Sequence, residues 1–135
     1  KSIHISTVQR QYIHHLAFIS YTLTPFSIYI LVFRKEFLDI WIQDGVIASQ
    51  LNSSFFWIIL GSLCNALMII PWVYLIAQSK TKLLIIITGF LAAISMLLLY
   101  ILVKFYAIEG AAMYWFYINL IPLPFLNLTI EVLYL

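Results

Sequence analysis

The sequence predicts an all-α, polytopic membrane protein with four transmembrane helices in an antiparallel bundle and a short interfacial helix between the first and the second. Of its 135 residues, 64% are hydrophobic and 9% are charged, whereas soluble domains are about half apolar and about a quarter charged. Between Val46 and Val103 the only charged residues are Lys80 and Lys82, near the middle of that stretch. Two long apolar segments joined by a short basic turn are typical of a membrane hairpin.

The first predicted span covers residues 12–33 and contains Pro25. A proline inside a helix has no N–H to donate, and its ring crowds the carbonyl of Tyr21, one turn earlier. Ser20, Thr24 and Ser27 lie on one stripe around this position. Their hydroxyls can satisfy the freed backbone groups, so we expect a tolerated kink at Pro25.

Residues 34–45 form a charged but partly apolar segment, RKEFLDIWIQDG. Phe37, Ile40 and Trp41 share one helical face, while the acidic residues take another. This pattern is typical of a short helix that lies at the membrane surface with its tryptophan at headgroup level. The pair Asp44-Gly45 is a turn signal and is expected to end this helix.

Three further spans follow. A five-residue linker, residues 78–82, with Lys80 and Lys82, joins the second predicted span to the third, and a short loop, residues 104–110, joins the third to the fourth. Prolines in these spans are expected to act as structural kinks, as Pro25 does in the first. The predicted spans are residues 51–77, 83–103 and 111–130, and the prolines are Pro71, Pro122 and Pro124. At about 20 residues per span, residues 1–135 form a single transmembrane unit.

Short loops make the four predicted helices alternate in direction, which places the N-terminal segment and the Lys80/Lys82 turn on the same side. That side holds Lys1, Arg10, Lys80 and Lys82; the other holds Arg34, Lys35 and Lys104, together with Glu36, Asp39, Asp44 and Glu109. The positive-inside rule therefore puts the Lys80/Lys82 turn in the cytoplasm.

Catalytic, metal and cofactor chemistry have little support in the sequence. There is no Ser/His/Asp set, no pair of carboxylates in a span and no Gly-rich phosphate loop. His14 and His15 are adjacent, so they point in different directions on a helix and, with only His4 left over, do not form a metal or haem site. The single Cys64 excludes an internal disulfide and a CxxC redox pair. We expect no enzyme activity and no cofactor.

Amides within the spans are the strongest candidates for a substrate pathway, because an amide in hydrocarbon needs a partner or a water-filled cavity. Asn65 lies in the second span and Asn119 and Asn127 in the fourth. Asn119, Leu123, Asn127 and Glu131 follow an i+4 row, which gives the fourth helix a polar edge ending in an acid. This edge is either a wall of a hydrophilic cavity or a set of interhelical hydrogen bonds with Glu131 at the water interface.

Four segments, taken in order, resemble the C-terminal part of bacterial oligosaccharide-lipid flippases, the O-antigen or polysaccharide flippases of the multidrug/oligosaccharidyl-lipid/polysaccharide exporter superfamily. They are FLDIWIQDG at 37–45, GSLCNALMIIP at 61–71, AQSKTKL at 77–83 and AIEGAAMYWF at 107–116. The Gly110-Ala111-Ala112 block is the most specific part of the resemblance. Ser79 stands where the family usually has glycine.

The resemblance implies that the four spans correspond to helices nine to twelve of a twelve-helix transporter in the bacterial cytoplasmic (inner) membrane. Because the chain opens with Lys1 rather than Met, we expect it to be part of a longer polypeptide. Such a transporter flips a lipid-diphosphate-linked oligosaccharide for O-antigen (lipopolysaccharide) or capsule assembly. Its implied partners are membrane lipids, the lipid-linked oligosaccharide and the remaining helices of the same transporter.

The same resemblance implies that amides and hydroxyls meet the sugars and that arginine or lysine meets the diphosphate. Arg10 is the basic candidate in this chain, and the other charge-binding residues are expected in the remaining helices. A formal charge of +2, scattered along the chain, does not favour a nucleic-acid partner.

Two other functions stay open at this point. The chain is alternatively part of a cation-coupled drug or metabolite antiporter of the same superfamily, for which a coupling acid within a span is needed and Glu131 is the candidate. The third hypothesis is a non-transport membrane scaffold subunit that binds partner helices. Four helices cannot form a two-lobed cavity, so the isolated chain is not expected to transport.

Overall fold

A computed structural model describes the backbone of residues 2–126 and the side chains of residues 10–126. Over this range the chain is helical and contains no strand. The helices are α1 (Ser2–Val32), α2 (Arg34–Ile42), α3 (Gly45–Ala77) and α4 (Thr81–Leu120). Three stretches are long and apolar enough to cross a membrane, namely Arg10–Val32, Gly45–Ala77 and Thr81–Leu126. The predicted class, a helical membrane protein, is therefore confirmed.

The α1 helix continues through Pro25, which lies inside it. The Ser20 hydroxyl donates to the carbonyl of Leu16 at 2.8 Å, one turn towards the N-terminus. A hydroxyl held in this way keeps its polar hydrogen satisfied within the helix, so Ser20 can face an apolar environment.

The junction between α2 and α3 is only two residues long. Gln43 has a left-handed conformation (φ 58°) that ends α2, and its N–H donates to the Asp39 carbonyl at 3.2 Å. Asp44 then caps α3, because its carboxylate accepts from the N–H groups of Val46 at 2.9 Å and Ile47 at 3.2 Å. The predicted turn signal at Asp44-Gly45 thus marks the start of α3, and the left-handed residue that ends α2 is Gln43.

The α3 helix ends in a Schellman motif. The N–H of Lys80 donates to the Leu75 carbonyl at 2.9 Å, and the N–H of Ser79 donates to the Ile76 carbonyl at the same distance. Ser79 occupies the left-handed position of this motif with φ 57°. Glycine is the usual residue there because it has no Cβ to crowd the neighbouring carbonyl.

The α4 helix contains a break at Ala107, whose backbone (φ 49°, ψ −124°) is not helical. A Cβ added to Gly110 would overlap the carbonyl group of Leu102, eight residues earlier. Residues eight apart in a straight helix are separated by about 12 Å. The chain therefore folds back at Ala107, and the third and fourth predicted spans are the two arms of this hairpin.

Contacts along α3 show in which direction the neighbouring segments run. Ser53 contacts Glu109, and a Cβ at Gly61 would meet Trp115, so α3 and the second arm of α4 run in the same direction. The α1 helix runs in the opposite direction to α3, because the Tyr12 ring packs at a tilt of 58° against that of Tyr74 near the far end of α3, with ring centroids 5.1 Å apart.

Two ends of the bundle follow from these contacts. The start of α1 and the turn between α3 and α4 lie together at one end, which we call the lysine end (residues 10–15 and 74–84). A small core lies there, formed by Tyr74, Leu75, Leu84 and Leu126, with Tyr12 packed against it. The other end, the acidic end (residues 33–53 and 104–109), contains α2, the start of α3 and the reversal at Ala107.

Candidate functional site

The two predicted amides within the described residues have different surroundings. Asn119 is buried, with 5% of its surface exposed, and its side-chain NH₂ donates to the Trp115 carbonyl of its own helix at 2.7 Å. Asn65 is half-buried and lines an open groove of about 260 Å³ together with Trp72 and Val73. Asn65 is thus the amide with open space in front of it, whereas Asn119 is held by its own helix.

The remaining members of the predicted polar edge, Asn127 and Glu131, lie outside the described residues. Of the prolines predicted as kinks in the fourth span, Pro122 is buried and Pro124 is exposed. Both lie in the helical residues 122–126, directly after Ile121, whose backbone is right-handed helical (φ −57°, ψ −47°) and whose N–H donates to the Tyr117 carbonyl at 3.0 Å. Pro71 lies within the continuous α3 and is buried.

Arg10, the predicted basic candidate, is exposed on α1 at the lysine end. One turn further along the helix, the Nδ1 atom of His15 lies 2.7 Å from the Gln11 carbonyl oxygen. This places the imidazole along α1, with Nε2 as its second polar atom.

A polar cluster that sequence reasoning missed lies at the acidic end. The Ser53 hydroxyl donates to Oε1 of Glu109, and the indole N–H of Trp57 donates to the same oxygen at 3.4 Å. We call Ser53, Trp57 and Glu109 the glutamate cluster. Ser53 and Trp57 are four residues apart on one face of α3, so together they hold the first acidic side chain after the reversal at Ala107.

Aromatic contacts hold the tryptophan of the glutamate cluster in position. The Trp57 ring lies 5.4 Å from that of Phe116 and 6.2 Å from that of Tyr117, both on the second arm of α4. On the same arm, the indole N–H of Trp115 donates to the Ser62 hydroxyl at 3.4 Å. The interface between α3 and this arm is therefore aromatic with a few directed hydrogen bonds, which fix the rings and their N–H groups.

Arg34, the first residue of α2, packs against Phe56 of α3 at the acidic end. One of its terminal nitrogens donates to the Leu31 carbonyl at 2.9 Å, and the guanidinium lies 5.7 Å from the centre of the Phe56 ring. Its Nε atom is buried without a hydrogen-bond partner, as is Oδ1 of Asn52, one turn before Phe56. A buried donor and a buried acceptor of this kind are sites that an ordered water molecule can satisfy.

Replacing Glu109 with alanine is expected to lower the stability of the bundle by about 1–2 kcal/mol, because the half-buried Trp57 N–H loses its acceptor and the exposed Ser53 hydroxyl loses its contact with α4. Unfolding in mixed micelles, followed by circular dichroism as the fraction of denaturing detergent rises, measures this change. The control is Glu36→Ala, an exposed acid on α2, for which we expect little effect. If Glu109→Ala in a Ser53→Ala background costs as much as it does in the original chain, the Ser53 contact does not contribute to stability.

A groove of about 540 Å³ separates α1 from α3 and opens to the outside. Its walls are largely apolar, and its polar residues lie at or near the lysine end. The polar residues are Gln11, Tyr12, His15 and Gln78. The other lining residues are Phe18, Ile19, Ile69, Ile70, Val73, Tyr74 and Ala77. The groove is therefore amphipathic along its length.

The chemistry offered by these sites is hydrogen bonding and apolar contact. Among residues 10–126, no three His, Cys, Asp or Glu side chains are grouped so that they could hold a metal ion. The glutamate cluster, the Asn65 groove and the α1–α3 groove are the candidate sites that the geometry provides. No family model, curated protein or solved structure matches this chain.

Proposed function

We propose that this chain is the C-terminal part of a bacterial flippase that moves a lipid-diphosphate-linked oligosaccharide across the cytoplasmic membrane for O-antigen or capsule assembly. The proposal rests on the ordered set of four segments that resemble such flippases. The observation that carries it is the position of Gly110, the glycine of the most specific segment. A Cβ there would overlap the Leu102 backbone, so the hairpin requires glycine at the place where the resemblance has it.

Two other positions support the same assignment. Ser79, which stands where the family usually has glycine, adopts the left-handed backbone that glycine favours. Ala112, in the same block as Gly110, is buried with 5% of its surface exposed. Residues that carry the resemblance therefore occupy positions where the fold restricts side-chain size or backbone conformation.

In this proposal α1, α3 and the two arms of α4 form an antiparallel bundle with the lysine end in the cytoplasm. Lys80 and Lys82 are exposed there, in agreement with the positive-inside rule. The α2 helix lies along the opposite membrane surface, because Ile40 and Trp41 on its outer face are 76% and 70% exposed and can enter the headgroup region.

Transport would proceed by alternating access, with this bundle as part of one lobe and the remaining helices completing the two-lobed cavity. Asn65 is the described amide best placed to meet sugar hydroxyls, because it faces open space rather than its own helix. Arg10 is exposed at the cytoplasmic entrance and can attract the diphosphate. The isolated chain is not expected to transport.

Complementation of a flippase-null strain with the full-length gene tests the proposal. We expect surface polysaccharide to return with the full-length gene, to stay absent with residues 1–135 alone and to be reduced by Asn65→Ala. Ser95→Ala, a hydroxyl bonded within its own helix at 2.8 Å, is the matched control and should leave transport unchanged. A well-expressed full-length protein that restores no polysaccharide would refute the proposal; cation-dependent drug resistance in the same strain would favour the antiporter instead.

A further inference from the structure

The length of the α1–α3 groove is close to the thickness of one leaflet of the hydrocarbon core. Along α1 its lining runs from Gln11 to Ile19, a rise of about 12 Å at 1.5 Å per residue. One leaflet contributes about 15 Å to the hydrocarbon core. The groove thus extends from the lysine end nearly to the middle of a bilayer.

The two parts of the groove differ in the chemistry they offer. Its deeper part is lined by Phe18, Ile19, Ile69 and Ile70, which provide an apolar channel for a hydrocarbon chain. Its mouth offers hydrogen-bonding groups from α1 and from the end of α3, among them Gln11, His15 and Gln78. A ligand that fits both parts has a polar head and an apolar tail.

The charged residues around the mouth of the groove indicate the charge of the ligand's headgroup. Arg10 directly precedes the lining residue Gln11, and Lys80 and Lys82 lie two and four residues after Gln78. All three cations are exposed. The acidic side chains of the described residues, Glu36, Asp39, Asp44 and Glu109, all belong to the acidic end. Within the described part of the chain, the mouth is therefore bordered by positive charge alone, which favours an anionic headgroup.

We infer that the α1–α3 groove binds an anionic phospholipid from the leaflet at the lysine end, with one acyl chain along Phe18 and Ile69 and the phosphate near Arg10, Lys80 and Lys82. Each basic side chain near an anionic headgroup strengthens the attraction to the membrane surface. The dipolar headgroup of phosphatidylcholine lacks the net charge, so it gains less from these cations. This inference does not depend on the proposed transport function.

Lipid retention by the full chain tests the headgroup preference. The protein is reconstituted in nanodiscs containing equal amounts of phosphatidylglycerol and phosphatidylcholine. It is then released into a mild detergent, and native mass spectrometry identifies the lipids that stay bound. We expect phosphatidylglycerol to be retained at least fivefold over phosphatidylcholine. The triple variant Arg10→Gln, Lys80→Gln, Lys82→Gln should lose this preference, whereas the control Lys35→Gln, Lys104→Gln at the acidic end should keep it. Circular dichroism verifies that both variants stay helical.

A second variant tests the apolar part of the groove. Val73 lines it and is 58% exposed, so Val73→Trp fills the space and should lower retention of phosphatidylglycerol severalfold. Met96→Trp, at a 78% exposed position on α4 away from the groove, is the matched control. The inference would be overturned by equal retention of the two lipids or by unchanged retention in the triple variant. Displacement of the lipid by inorganic phosphate would also overturn it and would assign the cations to a free-anion site.

Discussion

Replacing Gly110 with alanine is expected to lower the free energy of unfolding by about 3 kcal/mol, at the upper end of the cost of overpacking a close contact. The added Cβ would overlap the carbonyl carbon and oxygen of Leu102. These are backbone atoms of the preceding arm of the hairpin, so no side-chain rotation can relieve the overlap, and the two arms must move apart at Ala107. Unfolding in mixed micelles measures the loss of stability.

A distance measurement shows whether the loss comes from the hairpin itself. Spin labels at positions 96 and 120, on opposite arms, are introduced in a Cys64→Ser background. If the two arms formed one straight helix, the labelled residues would be about 36 Å apart. We expect a shorter distance in the original sequence and a longer, broader distribution in Gly110→Ala.

The matched control is Gly89→Ala on the first arm of α4. A Cβ at Gly89 has no atom within 4 Å, and alanine is favoured over glycine inside a helix by about 0.5–1 kcal/mol. We therefore expect Gly89→Ala to keep or raise stability. Equal losses in the two variants would show that the Leu102 contact does not set the cost at Gly110 and would contradict the reversal at Ala107.

Replacing Gly61 with leucine is expected to separate α3 from the second arm of α4 and to lower stability by about 2–3 kcal/mol. A Cβ at this position would lie 2.5 Å from Cδ1 of Trp115, 2.9 Å from the backbone nitrogen of Phe116 and 3.0 Å from its Cα. The indole can rotate away, but the Phe116 backbone cannot, and rotation would also break the hydrogen bond from Trp115 to Ser62. Small residues permit this kind of close helix approach in membranes.

Cross-linking reports the separation directly. Cysteines replacing Ser53 and Glu109, again with Cys64→Ser, should react with a short bifunctional maleimide in the original sequence because these side chains touch. Adding Gly61→Leu should reduce the yield several-fold, and adding Gly89→Leu should leave it unchanged. Undiminished cross-linking in the Gly61→Leu variant would show that the interface accommodates the larger side chain.

The helical membrane class was predictable from sequence because hydropathy is a local property. The apolar stretches on either side of Lys80 and Lys82 each form long helices, as predicted, and the turn between them lies where the linker was expected. The reversal of α4 was predicted as a loop of residues 104–110, whereas the structure breaks the helix at Ala107 alone. The role of Gly110 in that reversal depends on the Leu102 backbone in space, which no local pattern encodes.

The candidate sites were less predictable than the helices. Glu109 was expected to be a loop charge, and its hydrogen bonds to Ser53 and Trp57 join residues more than 50 positions apart. The i+4 spacing of Ser53 and Trp57 shows that they share a face, but it does not show which acid they meet. Conversely, Asn119 matched the pattern of an interhelical amide, yet its NH₂ group donates within its own helix.

The reversal at Ala107 also bears on how the chain enters a membrane during synthesis. Residues Thr81–Leu126 form a 46-residue apolar stretch, and as one straight helix it would be about 69 Å long, more than twice the thickness of the hydrocarbon core. Lys104 and Glu109 flank the reversal and are costly to carry across the bilayer. The two arms therefore have to insert as a pair with these charges kept at one surface, so a change at Gly110 is expected to affect insertion efficiency before it affects the finished fold.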